Sequence, residues 1–339
     1  MRRLLPSLAL FALTAFGACQ PDAPDADGPT ADADEVTVYA GRKQVLVDGL
    51  AETWPGGTAQ IRYGSDAELL AALGEEGDRS PAGVFWANTA GALGAAVSEG
   101  LLAPLSDETL ALADGYVPSS GLWAPLTVRF RVLAYNPDAI SADALPASVL
   151  GLPGMDEMEG RIGWTPSYSS FQDFITALRL TEGEDAARTW IREMKALDPK
   201  AYPSNTPMLE ALVAGEIDVA LTNHYYVLRV QETDPDAPVA THHFAEGDIG
   251  NLALVTGAGV LKTAEDPAAA ERFVAFLLSG AAQEAAAGAV NEYPVVRDTP
   301  VPARLMAFDD AVRLSPEFDM EGLRDLDATL RLLRDEGLL

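Results

Sequence analysis

The sequence is poor in the side chains from which most metal and hydrolytic sites are built. It has one cysteine, Cys19, so it can form neither an intrachain disulfide nor a cysteine-based metal site. Three histidines in 339 residues leave few candidates for histidine-based acid–base catalysis. His242 and His243 are adjacent and cannot share a helix face, so we interpret them as loop residues rather than a metal pair.

Motifs of the common enzyme classes are also missing. The sequence contains no G-x-S-x-G, no Walker A loop, no H-E-x-x-H and no complete G-x-G-x-x-G. The segment GAGVLK has two glycines but nothing after them to hold a dinucleotide, so we interpret it as a closely packed strand. These absences predict a protein that is not an enzyme, and they disfavour a secreted α/β hydrolase in particular.

Basic residues are few. There are 23 Lys and Arg against 51 Asp and Glu, which gives a formal net charge of −28. Nucleic acid is disfavoured as a partner because its phosphates need Lys and Arg for neutralisation. Most acidic residues, such as the pairs Glu75-Glu76 and Asp309-Asp310, are expected to lie on solvated faces.

The N-terminal segment is typical of an exported protein. MRRLLPSLALFALTAFGACQ combines a basic start, an apolar stretch and small residues before Cys19. Its GAC ending resembles the lipobox of bacterial lipoproteins, which predicts a signal peptide over 1–18 and lipidation of Cys19. An ordinary signal peptide is the alternative. Residues 19–35, rich in Pro, Asp and Ala, predict an acidic flexible tether, and no later apolar run is long enough to span a membrane.

After the tether, strand-like and helix-like segments alternate. VTVYA, AQIRYG and AGVFWA predict strands, and SDAELLAALGEEG and the segment around Leu93–Leu101 predict helices between or after them. Asp266 followed by Pro267 predicts the start of a further helix. The alternation indicates an α/β fold with mostly parallel sheets, in a chain long enough for two lobes.

Two adjacent tyrosines stand where a buried strand is predicted to become a helix. In EIDVALTNHYYVLRVQE an alternating apolar run precedes Tyr225 and Tyr226. Phenols at this place can simply pack. However, a helix N-terminus favours anions, and a hard trivalent cation can help a phenol, whose pKa is about 10, to ionise. Packing and metal binding are therefore both open from the residues alone.

NHYYVLR resembles the dityrosine motif of bacterial periplasmic ferric-iron-binding proteins, the capture components of iron(III) ABC importers. VTVYAGRK, EEGDRSPAGVFWANTAGALG, VRFRVLAYNPD, GRIGWTPSYSSFQDFITAL and NEYPVV resemble further segments of that family, in the same order. The resemblance implies the type II periplasmic-binding fold, with two α/β lobes hinged around a central cleft. The first lobe is expected over 36–132 and 250–300, and the second over 133–249 and 301–339.

The resemblance also implies roles for individual residues. Tyr225 and Tyr226 match the two tyrosinate ligands of Fe³⁺. Additional metal or anion contacts are expected from a wider set of polar residues near the cleft: Tyr39, Arg42, Lys43, Asn88, Arg129, Ser167, Tyr168, Asn205 and Asn223. The Ser167 contact belongs to the 167–170 loop as a whole.

Two residues depart from the family pattern. Lys43 stands where some members carry a ligand histidine, and Asn88 where they carry a ligand glutamate. We therefore expect a synergistic anion, carbonate or phosphate, to complete the coordination of Fe³⁺ with water or a further tyrosine such as Tyr39 or Tyr168.

The function that the resemblance implies is capture of ferric iron and delivery to an importer. The expected partners are the ABC permease and ATPase of an iron importer. The protein is expected to be a monomer in the periplasm or at the cell surface, touching the membrane only through a lipid at Cys19. A related binder of an organic oxyanion or a polyamine is the main alternative, and a purely structural lipoprotein is another.

Overall fold

A computed structural model describes residues 33–339, in which the first strand begins at Asp34. The predicted signal peptide, Cys19 and the tether up to residue 32 lie outside the described residues. Asp34 and Glu35, which the sequence assigned to the tether, are paired with the second strand.

Ten strands form one twisted sheet in this part of the chain. Their bounds are β1 Asp34–Ala40, β2 Gly57–Tyr63, β3 Val84–Ala87, β4 Ala124–Tyr135, β5 Ile162–Trp164, β6 Lys200–Ala201, β7 Val219–Asn223, β8 Ala240–His242, β9 Ala253–Val260 and β10 Tyr293–Pro294. The main order is β2-β1-β3-β9-β4-β7-β5-β6, with β8 and β10 paired to β4.

The long strand β4 divides the sheet into two sections. Its first half pairs with β9 and β10, which belong with β1, β2 and β3 to what we call the first section. Its second half pairs with β7 and β8, which belong with β5 and β6 to the second section. Strand β4 is buried along nearly its whole length, so it connects the two sections through the interior.

The expectation of mostly parallel sheets is wrong. Pairs β1–β2, β1–β3, β5–β6 and β5–β7 are parallel, but every pair that involves β4 or β9 is antiparallel. Strands β4 and β9 connect different regions of the fold. They are not the second strand of a β–α–β unit, in which a helix returns the chain so that the next strand runs parallel to the first. Strand periodicity does not show this, because it is the same in both orientations.

Twelve α-helices flank the sheet within residues 33–339. Their bounds are α1 Gln44–Ala51, α2 Asp66–Glu76, α3 Ala90–Ser98, α4 Asp107–Leu110, α5 Ser169–Glu182, α6 Glu184–Ala196, α7 Asn205–Val213, α8 His224–Thr233, α9 Pro267–Leu277, α10 Gly280–Val290, α11 Phe308–Leu314 and α12 Leu326–Asp335.

Several helix boundaries follow the local sequence signals. Ser65 and Glu68 form a reciprocal capping box at the start of α2. The side chain of Asp266 accepts a hydrogen bond from the Ala269 amide at 2.9 Å, as the sequence predicted for the start of α9. Helices α5 and α6 are separated by Gly183, whose φ of 95° lies in a region that favours glycine.

Each section has its own aromatic packing. In the first section Phe273 contacts Trp54 and Trp86 edge-on, with ring centroids 5.1 and 6.4 Å apart. In the second section Trp164, Phe171, Phe174 and Trp190 form a continuous chain of edge-to-face contacts. Such pairs add to the free energy of burying the rings, so each section has a rigid base from which to present its loops.

The C-terminal segment contacts helices of both sections. Its 3-10 turn Met320–Arg324 packs against α3 and α5, and α12 packs on α5. Gly91 allows the approach to α3, because a Cβ there would stand 2.9 Å from the Leu323 carbonyl oxygen. Among the helices described, none is by itself long and apolar enough to cross a membrane, and one bent pair, α9 with α10, meets that test only by length and composition.

Candidate functional site

The two tyrosines lie in the first turn of α8, directly after a buried strand. Strand β7 ends at Asn223 and α8 begins at His224, so the boundary predicted from the sequence is confirmed. Tyr225 and Tyr226 are 6% and 7% exposed, and their ring centroids are 4.4 Å apart. The carboxyl ends of the parallel strands β5 and β7 thus present the phenols at one edge of the second section.

A third phenol comes from the loop between β5 and α5. The hydroxyl oxygen of Tyr168 lies 3.0 Å from that of Tyr226. Tyr168 immediately precedes α5, as Asn223 precedes α8. Three phenol groups therefore meet where two helices begin, and each phenolate that forms there is favoured by the partial positive charge of the helix N-termini.

Burial keeps Tyr225 and Tyr226 protonated while no cation is bound. It raises the pKa of Tyr225, an effect that the nearby Arg129 guanidinium partly opposes. It also raises the pKa of Tyr226, and the neighbouring Tyr225 and Tyr168 raise that pKa further, because adjacent phenolates would repel each other. The Arg229 guanidinium carbon lies 4.6 Å from the centre of the Tyr225 ring and 5.6 Å from that of Tyr226. A cation bound to the hydroxyl oxygens would instead favour the ionised phenolates over the protonated phenols.

His224 holds the start of α8 in place. Its Nδ1 accepts a hydrogen bond from the Phe130 amide at 3.1 Å, so its Nε2 is the donor to the Asn291 carbonyl at 2.8 Å. Burial lowers the pKa of His224 to about 4, which keeps the ring neutral at physiological pH. Both ring nitrogens are used, so His224 positions the tyrosines by anchoring α8 to β4 and to the segment after α10.

The opposite wall of the site comes from the first section and is basic. Arg42 and Lys43 follow β1, Asn88 follows β3, and Arg129 lies on β4. Arg42 donates to the side-chain oxygen of Asn88 at 2.7 Å, and Arg129 donates to the backbone oxygen of Asn88 at 3.0 Å. The sequence predicted all four residues near the site, and the structure brings them together.

Glu292 is the acidic centre of this wall, and the sequence reasoning did not identify it. Its carboxylate lies 2.8 Å from Nη2 of Arg42 and 3.8 Å from Nη1 of Arg129, and it also accepts from the Thr127 hydroxyl. Burial alone would raise the pKa of Glu292, but Arg42 and Arg129 lower it to about 2. The only sequence signal was the segment NEYPVV, in which nothing local distinguishes this glutamate from a surface residue.

The two walls enclose a cavity of about 240 Å³. Its lining is mostly polar: Gly41, Arg42, Lys43, Asn88, Arg129, Tyr168, Ser169, Ser170, Asn223, Tyr225, Arg229, Val290 and Glu292. Lys43, Tyr168 and Asn223 are the residues that precede α1, α5 and α8, and none of their side chains caps its helix. Three helix N-termini are therefore available to negative charge in the cavity.

Buried hydrogen-bond donors without partners also indicate that the cavity favours an anion. Nε of Arg42, Nε of Arg129 and Nδ2 of Asn223 are buried and have no hydrogen-bond partner in the structure. All three residues line the cavity. A buried donor without an acceptor costs free energy, so an oxyanion in the cavity is the natural partner for such groups.

Four of the predicted site residues are not among those that line the cavity, and one of them is Tyr226, whose hydroxyl oxygen lies 3.0 Å from that of the lining residue Tyr168. Tyr39 donates its hydroxyl hydrogen to Glu76 and accepts from Arg62 at 2.8 Å. Ser167 is exposed, and Ser169 and Ser170 of the same loop take the place expected for it. Asn205 is fully buried at the start of α7, where both side-chain polar atoms lack partners.

The cavity differs from the usual sites built from histidine, cysteine and carboxylate. Among residues 33–339, no group of three or more His, Cys, Asp or Glu side chains is arranged to hold a metal ion. His242 is engaged with the Pro146 carbonyl, 3.0 Å from its Nε2, in agreement with a loop role.

Known proteins resemble this chain in sequence and in fold. The model of a family described as bacterial extracellular solute-binding protein matches residues 83–312. The chain is 31% identical to the Fe(3+)-binding periplasmic protein of Serratia marcescens over 70% of this chain and 72% of that one. It is 28% identical to the major ferric iron-binding protein of a Neisseria meningitidis serogroup B strain, over 90% and 93% of the two chains.

A solved structure is similar along nearly the whole described chain. The iron-bound HitA protein of Pseudomonas aeruginosa superposes with a TM-score of 0.83 at 33% sequence identity. The match covers 90% of this chain and 99% of that one.

Proposed function

The chain belongs to the bacterial extracellular solute-binding proteins, in the group of ferric-iron-binding periplasmic proteins, and from this premise we propose that it captures Fe³⁺ on Tyr225 and Tyr226 together with an oxyanion. The observation that carries the proposal is that Tyr168 and Tyr225 line one cavity with a basic wall, while Tyr226 contacts both of these tyrosines. The phenolates supply the hard anionic oxygens that Fe³⁺ prefers, and the wall supplies donors for the anion.

The binding step follows from the state of the empty site. The buried phenols are protonated, so Tyr225 and Tyr226 each release a proton as they coordinate the ion. Tyr168 is placed to contribute a third oxygen. The oxyanion, carbonate or phosphate in the sequence prediction, accepts hydrogen bonds from the arginines and helix N-termini and completes the coordination.

Delivery completes the proposed role. The two sections move as lobes about the strands that connect them, close on the loaded cavity, and the closed protein docks on an ABC permease coupled to an ATPase. The protein acts in the periplasm or at the cell surface as a monomer held by a lipid on Cys19. Its role requires no catalysis by the chain itself.

Visible absorption tests the proposal. Ferric citrate added to the purified protein at neutral pH should produce a broad tyrosinate-to-iron charge-transfer band. The double variant Tyr225→Phe/Tyr226→Phe should lose the band, and Tyr63→Phe, which changes an exposed phenol on β2, should keep it. A parent protein that stays colourless and shows no thermal shift with iron would refute ferric capture.

Binding of an organic oxyanion without metal is the second candidate. The basic lining of the cavity supports it, and the same lining does not suit a polyamine. In that case the anion alone should raise the melting temperature of the parent and of the double phenylalanine variant equally, because no phenolate is needed.

A further inference from the structure

A second and larger cavity lies outside the site described above. It is a groove of about 930 Å³ formed by the loop 114–116, the segment 294–301, helix α11 and the segment 315–318, and we call it the junction groove. None of the residues that line it also lines the cavity beside Tyr225. A volume of this size is typical of sites that hold a small organic molecule.

The junction groove lies where the two sections of the sheet join. On one side, β10 pairs with Thr127 and Val128 in the middle of β4, the strand that connects the sections. On the other side, the Leu314 carbonyl at the end of α11 accepts hydrogen bonds from the Gly247 amide at 3.0 Å and from the Asn251 side chain at 3.2 Å. Both donors belong to the segment that runs from β8 to β9. The walls of the groove are therefore attached to the parts of the chain that connect the two sections.

A row of rings separates the junction groove from the tyrosines of the first cavity. Phe308, which lines the groove, contacts Tyr293 with ring centroids 5.5 Å apart. Tyr293 contacts His224 at 5.1 Å, and His224 contacts Tyr225 at 5.9 Å. The two cavities are therefore distinct, and the rings of Tyr293 and His224 lie between them.

The inner surface of the junction groove is apolar. Pro294 and Val295 are buried there, and the rings of Phe308 and Phe318 are partly buried. Val312, on α11, also lines the groove and is 38% exposed. A ligand with an apolar body would remove these side chains further from water, which is favourable.

The charge of the junction groove is negative. Four carboxylates line it, those of Asp114, Asp298, Asp309 and Glu317, and Arg297 is the one basic residue among the described residues that do so. Arg297 pairs with Asp114 at 3.3 Å. Within residues 33–339 the other three carboxylates form no salt bridge, so the groove favours a cation over an anion of the same shape.

Two residues of the junction groove hold an unfavourable backbone conformation. Among the non-glycine residues of 33–339, four have a positive φ, and two of these line the groove: Tyr116 at 58° and Asp298 at 61°. This conformation costs free energy and persists only where the surrounding structure enforces it, which is frequent at ligand sites. Two loops are thus fixed in conformations that place an aromatic ring and a carboxylate on the groove.

We propose that the junction groove is a second ligand site, which takes an organic ammonium ion with an apolar body. The apolar body covers the inner surface of the groove, and the ammonium group faces the three carboxylates that lack a basic partner. Aromatic rings on the wall strengthen the preference, because their faces attract cations. The lining of the first cavity is basic, so the two sites select ligands of opposite charge. The proposal does not depend on iron capture.

Isothermal titration calorimetry tests the proposal with two probes of nearly the same shape. Phenethylamine carries an ammonium group at neutral pH, and phenethyl alcohol carries a neutral hydroxyl in its place. Phenethylamine should bind the purified protein at one site per chain, about fivefold more tightly than the alcohol or better. The difference between the probes should shrink in high salt, because exposed carboxylates are screened.

Removing carboxylates tests the charge of the site. Asp309→Asn/Glu317→Gln neutralises two exposed residues of the groove and should weaken phenethylamine binding about fivefold or more. Glu210→Gln/Glu284→Gln removes the same charge from exposed glutamates that do not line the groove, and it should bind phenethylamine as the parent does.

A lysine placed in the groove tests the location of the site. Val312→Lys brings a positive charge and a longer side chain to the inner surface, so it should abolish phenethylamine binding. Val45→Lys, at an exposed valine on α1, is the matched control and should not change binding. Melting temperatures confirm that each variant is folded.

Four results would overturn the proposal. The folded parent protein could fail to bind phenethylamine, or it could bind both probes with equal affinity, which would show that charge is not selected. Phenethylamine binding that neither Val312→Lys nor the carboxylate variant weakens would place the amine elsewhere. A dimer of the parent in sedimentation velocity that Val312→Lys dissociates would assign the groove to a second copy of this chain.

Discussion

Neutralising Glu292 offers the sharpest test of the charge arrangement in the cavity. The substitution Glu292→Gln keeps the size of the side chain and an acceptor for Thr127, but it removes the negative charge shared by Arg42 and Arg129. The two guanidinium groups would then lose the carboxylate that pairs with both of them in the interior. We expect the folded state to lose stability for this reason.

The magnitude follows from the pKa of the carboxyl group. Glu292 changes from an ordinary value of 4.5 to about 2 in the folded protein. At 1.36 kcal/mol per pH unit, this difference corresponds to about 3 kcal/mol of stabilisation at neutral pH. Glu292 is fully buried, so solvent screening does not reduce the figure. The pKa is lowered on folding, so this stabilisation is complete above pH 4.5 and is lost as the pH falls toward 2.

Urea denaturation is the appropriate assay, because urea is uncharged and does not screen ion pairs as guanidinium does. Glu292→Gln should lower the free energy of unfolding by about 3 kcal/mol at neutral pH, and the difference from the parent should narrow as the pH falls below about 4.5. Glu193→Gln, an exposed glutamate on α6, is the matched control and should change stability by less than about 0.5 kcal/mol.

Two results would refute the reasoning. A Glu292→Gln protein as stable as the Glu193→Gln control would show that Arg42 and Arg129 are adequately solvated without the carboxylate. A stability difference that stays constant from neutral pH down through pH 4.5 and below would show that the effect comes from packing and not from charge.

Three further predictions address the phenols and the local structure. Burial raises the pKa of Tyr225 and Tyr226, so both phenols must release a proton when they coordinate iron. The apparent iron affinity should therefore fall about 100-fold per unit decrease in pH, measured from the charge-transfer band between about pH 8 and 6 and corrected for protonation of the chelator. An iron affinity that does not change with pH would contradict protonated phenols. Gly257→Ala should destabilise the protein by about 1–3 kcal/mol, because its Cβ would stand 2.5 Å from the Ala124 carbonyl oxygen. Gly288→Ala, in the open part of α10, should be neutral or stabilising by up to about 1 kcal/mol. Equal urea midpoints for these two variants would contradict the close packing at Gly257. Asp266→Ala should cost about 1 kcal/mol in the same assay through loss of the α9 cap, and Asp266→Asn should recover most of it.

Local features of the fold were predictable because they depend on residues a few positions apart. The change from strand to helix before Tyr225, the cap at Asp266 and the break between α5 and α6 are each set within a few residues of sequence. The direction of β4 and β9 relative to their neighbours was not predictable. It depends on how far the chain travels before it returns to the sheet, and periodicity carries no such information.

The residues of the site also divide into those that the sequence predicted and those that only the fold places there. The sequence predicted Tyr225 and the basic residues of the wall, which line the cavity, and Tyr226, which lies beside it. It chose Ser167, which is exposed, where Ser169 and Ser170 line the cavity. The resemblance named a whole loop, and only the packed conformation decides which of its side chains point inward. The ligand role of the tyrosines remains a prediction that the absorption experiment tests.

The sequence by itself determined the elements, the absence of the usual enzyme motifs and the position of the paired phenols at a helix N-terminus. Only the tertiary structure revealed Glu292, which lies 250 positions from Arg42 in the chain and 2.8 Å from it in the fold. The physical reason is that helix and strand signals act over a few residues. The charge of a cavity, by contrast, depends on which distant side chains the packed sheet brings together and removes from water.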